Sequence, residues 1–411
     1  MKLSVKRIDV SPKENIFLGG YVQRKTPMEG LHDPITATIM VLTINNEKTV
    51  WVTMDLAGTT TGMIDNILSQ LYDKGIKLPK DHFVLCGTHT HSGPNFHNRP
   101  GMNNYTEKEE AYVKYLCSSI SQAISETYNE EGTEVKTRYS EILIDGLYSN
   151  RNDKNKLSDK HDYMIGFFNN EDKLVAIYHL MAHHCTVLGP QNMLCSADLF
   201  GNLRPRLEEY FGCPVFMAQG NAGDMGNKQY RDGNDFAALD RQGANIAAQI
   251  FNKYSWKDIN MDSYSHKDVL YHASFHVDYS IYKQKYIEFS ERLKVATNVD
   301  DIKLLTGWVG NAERKRNLPP EDKEIDMPAE ILNMGDVQIV LVPGELGSIL
   351  GLRIKEASKA KLCFVWGYNQ SGDLGYMIEK EAFATESQES QVTQYNPGIA
   401  DEYVEEIIRN L

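Results

Sequence analysis

Phe83-Val84-Leu85-Cys86-Gly87-Thr88-His89-Thr90-His91-Ser92-Gly93-Pro94 is the stretch that decides how this chain reads. Its opening residues form an apolar run with the length of a buried strand. It closes on a Gly-Pro turn signal. Two histidines separated by one threonine therefore fall where a strand ends, in the crevice outside the carboxyl ends of an α/β sheet. A second pair, His183-His184, follows the apolar run Leu174-Val175-Ala176-Ile177-Tyr178. Imidazoles converging from separate strand ends are the raw material of a zinc site.

The same arrangement recurs outward from these two points. Val50–Met54 ends in Asp55, and Val215–Ala218 leads into Gln219-Gly220-Asn221-Ala222-Gly223-Asp224. Val337–Val342 leads into Pro343-Gly344-Glu345, and Leu362–Trp366 leads toward Asn369, Gly372, Asp373 and Tyr376. Between the strands lie segments with helical spacing. Thr106-x-x-Glu109 is a capping box that opens one through Tyr112, Leu116, Ile120 and Ala123, and another runs through Leu199, Leu203 and Leu207 to Gly212. The pattern predicts an α/β fold, a large mixed β-sheet core flanked by helices, with a metal site at the C-terminal edge of the strands. Residues 257–335 are more polar, with a strand expected at 269–277 and a helix over 281–296. They read as an excursion or subdomain within a single catalytic domain spanning 1–411. No internal repeat is visible in the residues.

A chain of 411 residues can bury a large core. Its net charge of −13 and lack of any long basic run argue against a nucleic-acid or anionic-membrane surface. The six cysteines are scattered without a CxxC pair, which argues against a disulfide framework. The first ten residues alternate like a strand and lack the apolar core of a signal peptide. No apolar stretch has the length to span a bilayer. The expectation is a cytoplasmic protein with a small-molecule substrate, no nucleic-acid partner and no stable membrane association.

Zn2+ takes imidazole and carboxylate donors and keeps an open position for water in catalytic sites. It lowers the pKa of that water toward neutrality, so that water can attack a carbonyl carbon. Asp55 and Asp198 are expected to accept the second N–H of a ligand imidazole. His183 reads as the structural member of its pair, because neighbours on an extended segment point to opposite sides. His82, His97 and His179 read as surface or capping residues. Glu345 suits either a metal or a helix N-terminus. Cys185 and Cys195 stay open as an alternative thiolate pair.

Taken as an ordered set, five segments resemble the neutral ceramidases, zinc-dependent amidases that cleave the N-acyl bond of ceramide. They are Thr88–Pro94, His184-x-Thr186 with Ser196-x-Asp198, Gly220–Asp224, Pro343-Gly344-Glu345 and Gly375-Tyr376-Met377-Ile378. The resemblance runs over residues 1–385. It implies His89, His184, Glu345 and Tyr376 as zinc ligands, with His91 facing the substrate or the developing oxyanion. Tyr376, Asn221 and Asp224 join His91 among the implied catalytic groups. Two departures matter. Asp224-Met225-Gly226-Asn227 has glycine where the family carries a serine once proposed as nucleophile, which leaves metal-activated water. The chain also stops where the family's C-terminal immunoglobulin-like domain begins, so a smaller, soluble amide is expected. An ester, lactone or glycosidic bond is the alternative, as is a binding protein with a structural metal. Specificity is expected in loops at 95–105, 227–236 and 306–330.

Overall fold

The structure, a computed structural model, describes residues 1–97, 105–369 and 374–411. Gly372, Asp373 and most of the loop at 95–105 lie outside the described residues.

One local order recurs three times: two antiparallel strands, a helix, then a strand parallel to the second. The first unit pairs Thr36–Ile44 with Glu47–Met54, continues through the helix Thr61–Asp73, and returns as Phe83–Gly87. The second uses His161–Phe168, Leu174–Met181, the helix Asp198–Phe211 and Val215–Gln219. The third uses Glu321–Met334, Val337–Leu341, the helix Ser348–Ala357 and Leu362–Trp366. A parallel return needs such a crossover. The repeat is invisible in the residues because the units share a burial pattern and not side chains. Their strand-to-helix links also differ, with 182–197 much longer than 55–60 or 342–347.

The α/β class with mixed sheets flanked by helices holds, and the described strands are divided among three main sheets and three two-stranded pairings. Side chains alternate across each strand, so each sheet has two packed faces. On the inner faces Trp51, Tyr178 and Trp366, one from each unit, meet edge to face with ring centroids 5.7 Å apart in every pair. Val84, Leu180, Phe216, Ile339 and Phe364 complete this shared core. The alternate residues face helices. Val52 and Leu85 pack with Ile64, Ile67, Leu116 and Ile120. Ile177 and Met217 pack with Leu203, Leu207 and Ile246. Val340 and Val365 pack with Leu350, Ile354 and Tyr403.

The polar region takes a definite shape. Lys257–Ile259 adds an edge to the second sheet. Ser265–Val277 and Glu321–Met334 form a long antiparallel ribbon. Between them lie the helices Ile281–Val295 and Val299–Lys315, packed through Phe289, Leu305 and Trp308. The loop expected at 306–330 is therefore mostly helix and strand. Over 321–326 burial alternates, with Lys323 and Ile325 half-buried opposite Phe275 and Ala273, but Ile325 is the one apolar residue there, so the segment shows charge in place of the apolar alternation of a half-buried strand. Among the described residues no helix is long and apolar enough to cross a membrane.

Candidate metal centre

His89 lies just beyond the strand Phe83–Gly87 at φ 64°, in the left-handed region. A non-glycine residue held in such a region costs roughly 1–3 kcal/mol and persists only where its surroundings enforce it. The enforcing contacts here are Thr88 N–H to Met54 O at 2.8 Å and His89 N–H to Leu56 O at 2.9 Å. The ring is then oriented by backbone. His89 Nδ1 donates to Ala57 O at 2.5 Å, which leaves Nε2 facing inward. His184 repeats the device, with Nδ1 donating to Ala222 O at 2.9 Å and Nε2 buried without a partner.

Carbonyls therefore do the work expected of Asp55 and Asp198. Asp55 is engaged by Arg204 at 2.9 Å and by the Thr36 hydroxyl at 2.7 Å. Asp198 accepts the backbone N–H groups of Val187, Leu188 and Leu199. His183 turns away from its neighbour, with Nε2 3.3 Å from Asp162 and its ring stacked on Tyr148. His179, expected at the surface, is fully buried with Nε2 2.9 Å from the same Asp162. The strand carrying it has helices over its outer face, so neither side meets solvent.

The ligating nitrogens of His89, His91 and His184 lie within 4.8 Å of one another, a group that could hold a metal ion. His91 Nε2 is 3.0 Å from His89 Nε2. Glu345 Oε2 is 3.4 Å from His89 Nε2 and has no hydrogen-bond partner. Glu345 and Tyr376 are register partners in a short parallel pairing, which brings the tyrosine beside the carboxylate. Buried orphan atoms at His184 Nε2 and Glu345 Oε2, in an imidazole and carboxylate donor set, fit a divalent cation. Burial, and then the neighbouring His89, holds His91 and His184 well below the usual imidazole range. Both thus present the neutral form that ligates metals. Burial and then Glu345 push the Tyr376 hydroxyl up, against the pull of Arg151.

Two residues at the centre escaped the sequence reading. Tyr368, at φ 56°, lies tilted against His89 with centroids 4.0 Å apart, and its hydroxyl is buried without a partner. Its only signal is its place just past the strand Leu362–Trp366. Arg151 lies over the Tyr376 ring at 5.5 Å and is paired with the buried Glu389. It comes from an asparagine-flanked segment without periodicity.

Asn221 and Asp224 direct their hydrogen bonds to Ser348 instead of the imidazoles. Asn221 Nδ2 donates to Ser348 O at 3.2 Å, while Asp224 accepts Ser348 N–H at 2.7 Å and Asn150 Nδ2 at 2.6 Å. Burial raises the Asp224 carboxyl to about 6. This loop presses on the one that carries Glu345: a Cβ on Gly223 would lie 2.4 Å from the Glu345 carbonyl oxygen. Gly223→Ala must move one backbone or the other. With Glu345 as a ligand, we expect it to weaken affinity for a divalent cation by about 10–100-fold, the usual cost of disturbing a ligand's support. Competition with a chromophoric chelator measures this, and unchanged affinity would show that Glu345 tolerates the displacement.

Cys185 and Cys195 stand outside the group that could hold a metal. Both are buried, Cys185 Sγ points at Ala197 O at 3.5 Å, and burial pushes both thiols up. Thiols in that state are inert.

No known protein-family profile matches the chain, and no curated protein matches it by sequence. Solved structures do. The neutral ceramidase from Pseudomonas aeruginosa aligns with a TM-score of 0.71 at 17% identity, over 99% of this chain and 73% of that one. A ceramidase complexed with C2 aligns with a TM-score of 0.72 at 16% identity, over 99% and 74%. Identity this low speaks for architecture alone. Across nearly its whole length the chain has the fold of the neutral ceramidases.

Proposed function

We propose that this protein is a zinc-dependent hydrolase of an amide bond in a small substrate. His89, His184, Glu345 and Tyr376 hold the metal, and His91 serves the reacting carbonyl. The observation that carries the reading is the freeing of two Nε2 atoms. His89 and His184 each engage Nδ1 with a backbone carbonyl, and the uncompensated Glu345 Oε2 lies 3.4 Å from the first of them. When bound, zinc supplies Lewis acidity and a water of lowered pKa.

The chain's own residues do the rest. Their parallel pairing keeps Glu345 and Tyr376 in register, and Arg151 steadies the tyrosine from above. His91 is wedged edge-on against Tyr21 with centroids 5.1 Å apart. Its Nδ1, buried and unpartnered, is the nitrogen left to meet the carbonyl oxygen as charge develops there. Gly226 offers no hydroxyl, so water attacks in place of a serine. A second arrangement is favoured by one distance: His91 Nε2 is 3.0 Å from His89 Nε2, close enough for His91 to be a third imidazole ligand.

The test strips the protein with a chelator, reloads it with one equivalent of Zn2+, and assays short N-acyl amides beside matched esters and lactones. Amide cleavage that vanishes and returns with zinc is expected. Cleavage confined to esters or lactones would overturn the assignment of the bond. In the same assay His91→Ala is expected to keep its zinc and lose turnover; loss of zinc would make His91 a ligand.

A further inference from the structure

The helix Val299–Lys315, from the excursion, is fastened beside the candidate centre. Gln23 Nε2 donates to Lys303 O at 2.9 Å, and Arg231 pairs with Asp300. Trp308 Nε1 donates to Gln388 Oε1 at 2.9 Å, and Asn311 Nδ2 donates to Gln391 O at 2.7 Å. Held this way, Lys303 carries its Nζ 4.4 Å above the Tyr21 ring, the same ring that meets His91 in a T-shaped contact. The ammonium is thus one aromatic ring away from the centre.

Lys303 is also a cation with no anion. Arg24 is used up on the carbonyls of Gly19, His91 and Asn192, Arg151 on Glu389, and Arg231 on Asp300. Among the described residues Lys303 Nζ makes no ion pair. Burial, with Arg151 and Arg231 adding to it, drops the Lys303 ammonium to about 7, against the opposing pull of Asp300. This local positive excess lies in a chain of net charge −13. A half-buried cation without a counter-ion is stabilised by an arriving anion, which also restores its charge.

We propose that Lys303 receives an anionic group, a carboxylate or a phosphate, that the substrate carries close to its scissile amide. The inference rests on the amide-hydrolase reading and adds the class of amide: an N-acyl compound with an acidic substituent. Lys303 then acts as a specificity-determining residue donated by the helical excursion.

The test measures binding, so that it survives a failure of the hydrolase reading. Dissociation constants for N-acetylglycine and the uncharged N-acetylglycinamide are compared on zinc-loaded wild type, Lys303→Met and Lys303→Arg. Wild type should prefer the carboxylate by about tenfold, the size of a hydrogen bond to a charged group. Lys303→Met should erase that preference and Lys303→Arg should keep it. A preference that survives in Lys303→Met belongs to the metal and overturns the proposal, as does its absence in wild type. Inorganic phosphate that competes with N-acetylglycine in wild type, but not in Lys303→Met, extends the site to phosphates. Failure to compete confines it to carboxylates. Absence of amide turnover with the binding pattern intact would overturn the hydrolase reading alone.

Discussion

His89→Ala is expected to abolish stoichiometric zinc binding and to lower kcat/KM by about 10³-fold or more, the rate equivalent of several kcal/mol of lost transition-state stabilisation. His89 Nε2 faces both His91 Nε2 at 3.0 Å and Glu345 Oε2 at 3.4 Å, so its loss opens the centre in the middle. The fold should survive, because the ring's one backbone bond is to Ala57 and the neighbouring sheet contacts are untouched. Metal analysis and the zinc-dependent rise in melting temperature provide readouts apart from activity. A ligand that binds only the folded state stabilises it by mass action, and that rise should vanish in the variant. Full zinc occupancy in His89→Ala would mean that the imidazoles are structural and that the proposed chemistry is wrong.

Arg204→Met is expected to cost about 3–5 kcal/mol of stability, the usual penalty for stranding one partner of a buried ion pair. Arg204 is on the helix of the second unit and Asp55 ends a strand of the first, so this pair bolts two units together. The guanidinium meets both carboxylate oxygens, at 3.0 and 2.9 Å, and also donates to the Thr36 hydroxyl at 2.8 Å. Asp55 is fully buried, and without Arg204 it keeps only neutral donors from Thr36 and Thr88. Urea unfolding should show a lower midpoint with an unchanged slope. A loss below about 1 kcal/mol would show that solvent reaches the carboxylate and that the pair contributes little.

The two variants probe different kinds of legibility. His89, His184 and Glu345 could be picked out because each follows an apolar run with the length of a buried strand, strand ends are where α/β proteins keep their chemistry, and the family resemblance selects these residues among them. Asp55 could be picked out for the same reason but given the wrong partner. Its guanidinium comes from a helix far along the chain, and no local spacing connects the two. The imidazoles are oriented by the carbonyls of Ala57 and Ala222, and a backbone carbonyl leaves no mark on residue type. Tyr368 and Arg151 reach the centre through loop conformation, including a left-handed backbone at Tyr368 that no pattern announces. Lys303 arrives from the second helix of a pair of which only the first, over 281–296, is legible in the sequence.

The division into three main sheets was hidden for a related reason. Trp51 and Val52 are both fully or nearly fully buried, one toward the other sheets and one toward helices. A strand buried on both faces shows a continuous apolar run, and such a run does not say which face meets what. Local pattern thus determined the strands, the helices and the strand-end positions of the candidate ligands, because burial periodicity and turn chemistry act over a few residues. Which sheet each strand joins, which atom each imidazole presents, and which distant cations line the centre were decided only by tertiary packing, because those contacts join residues that the chain itself keeps far apart.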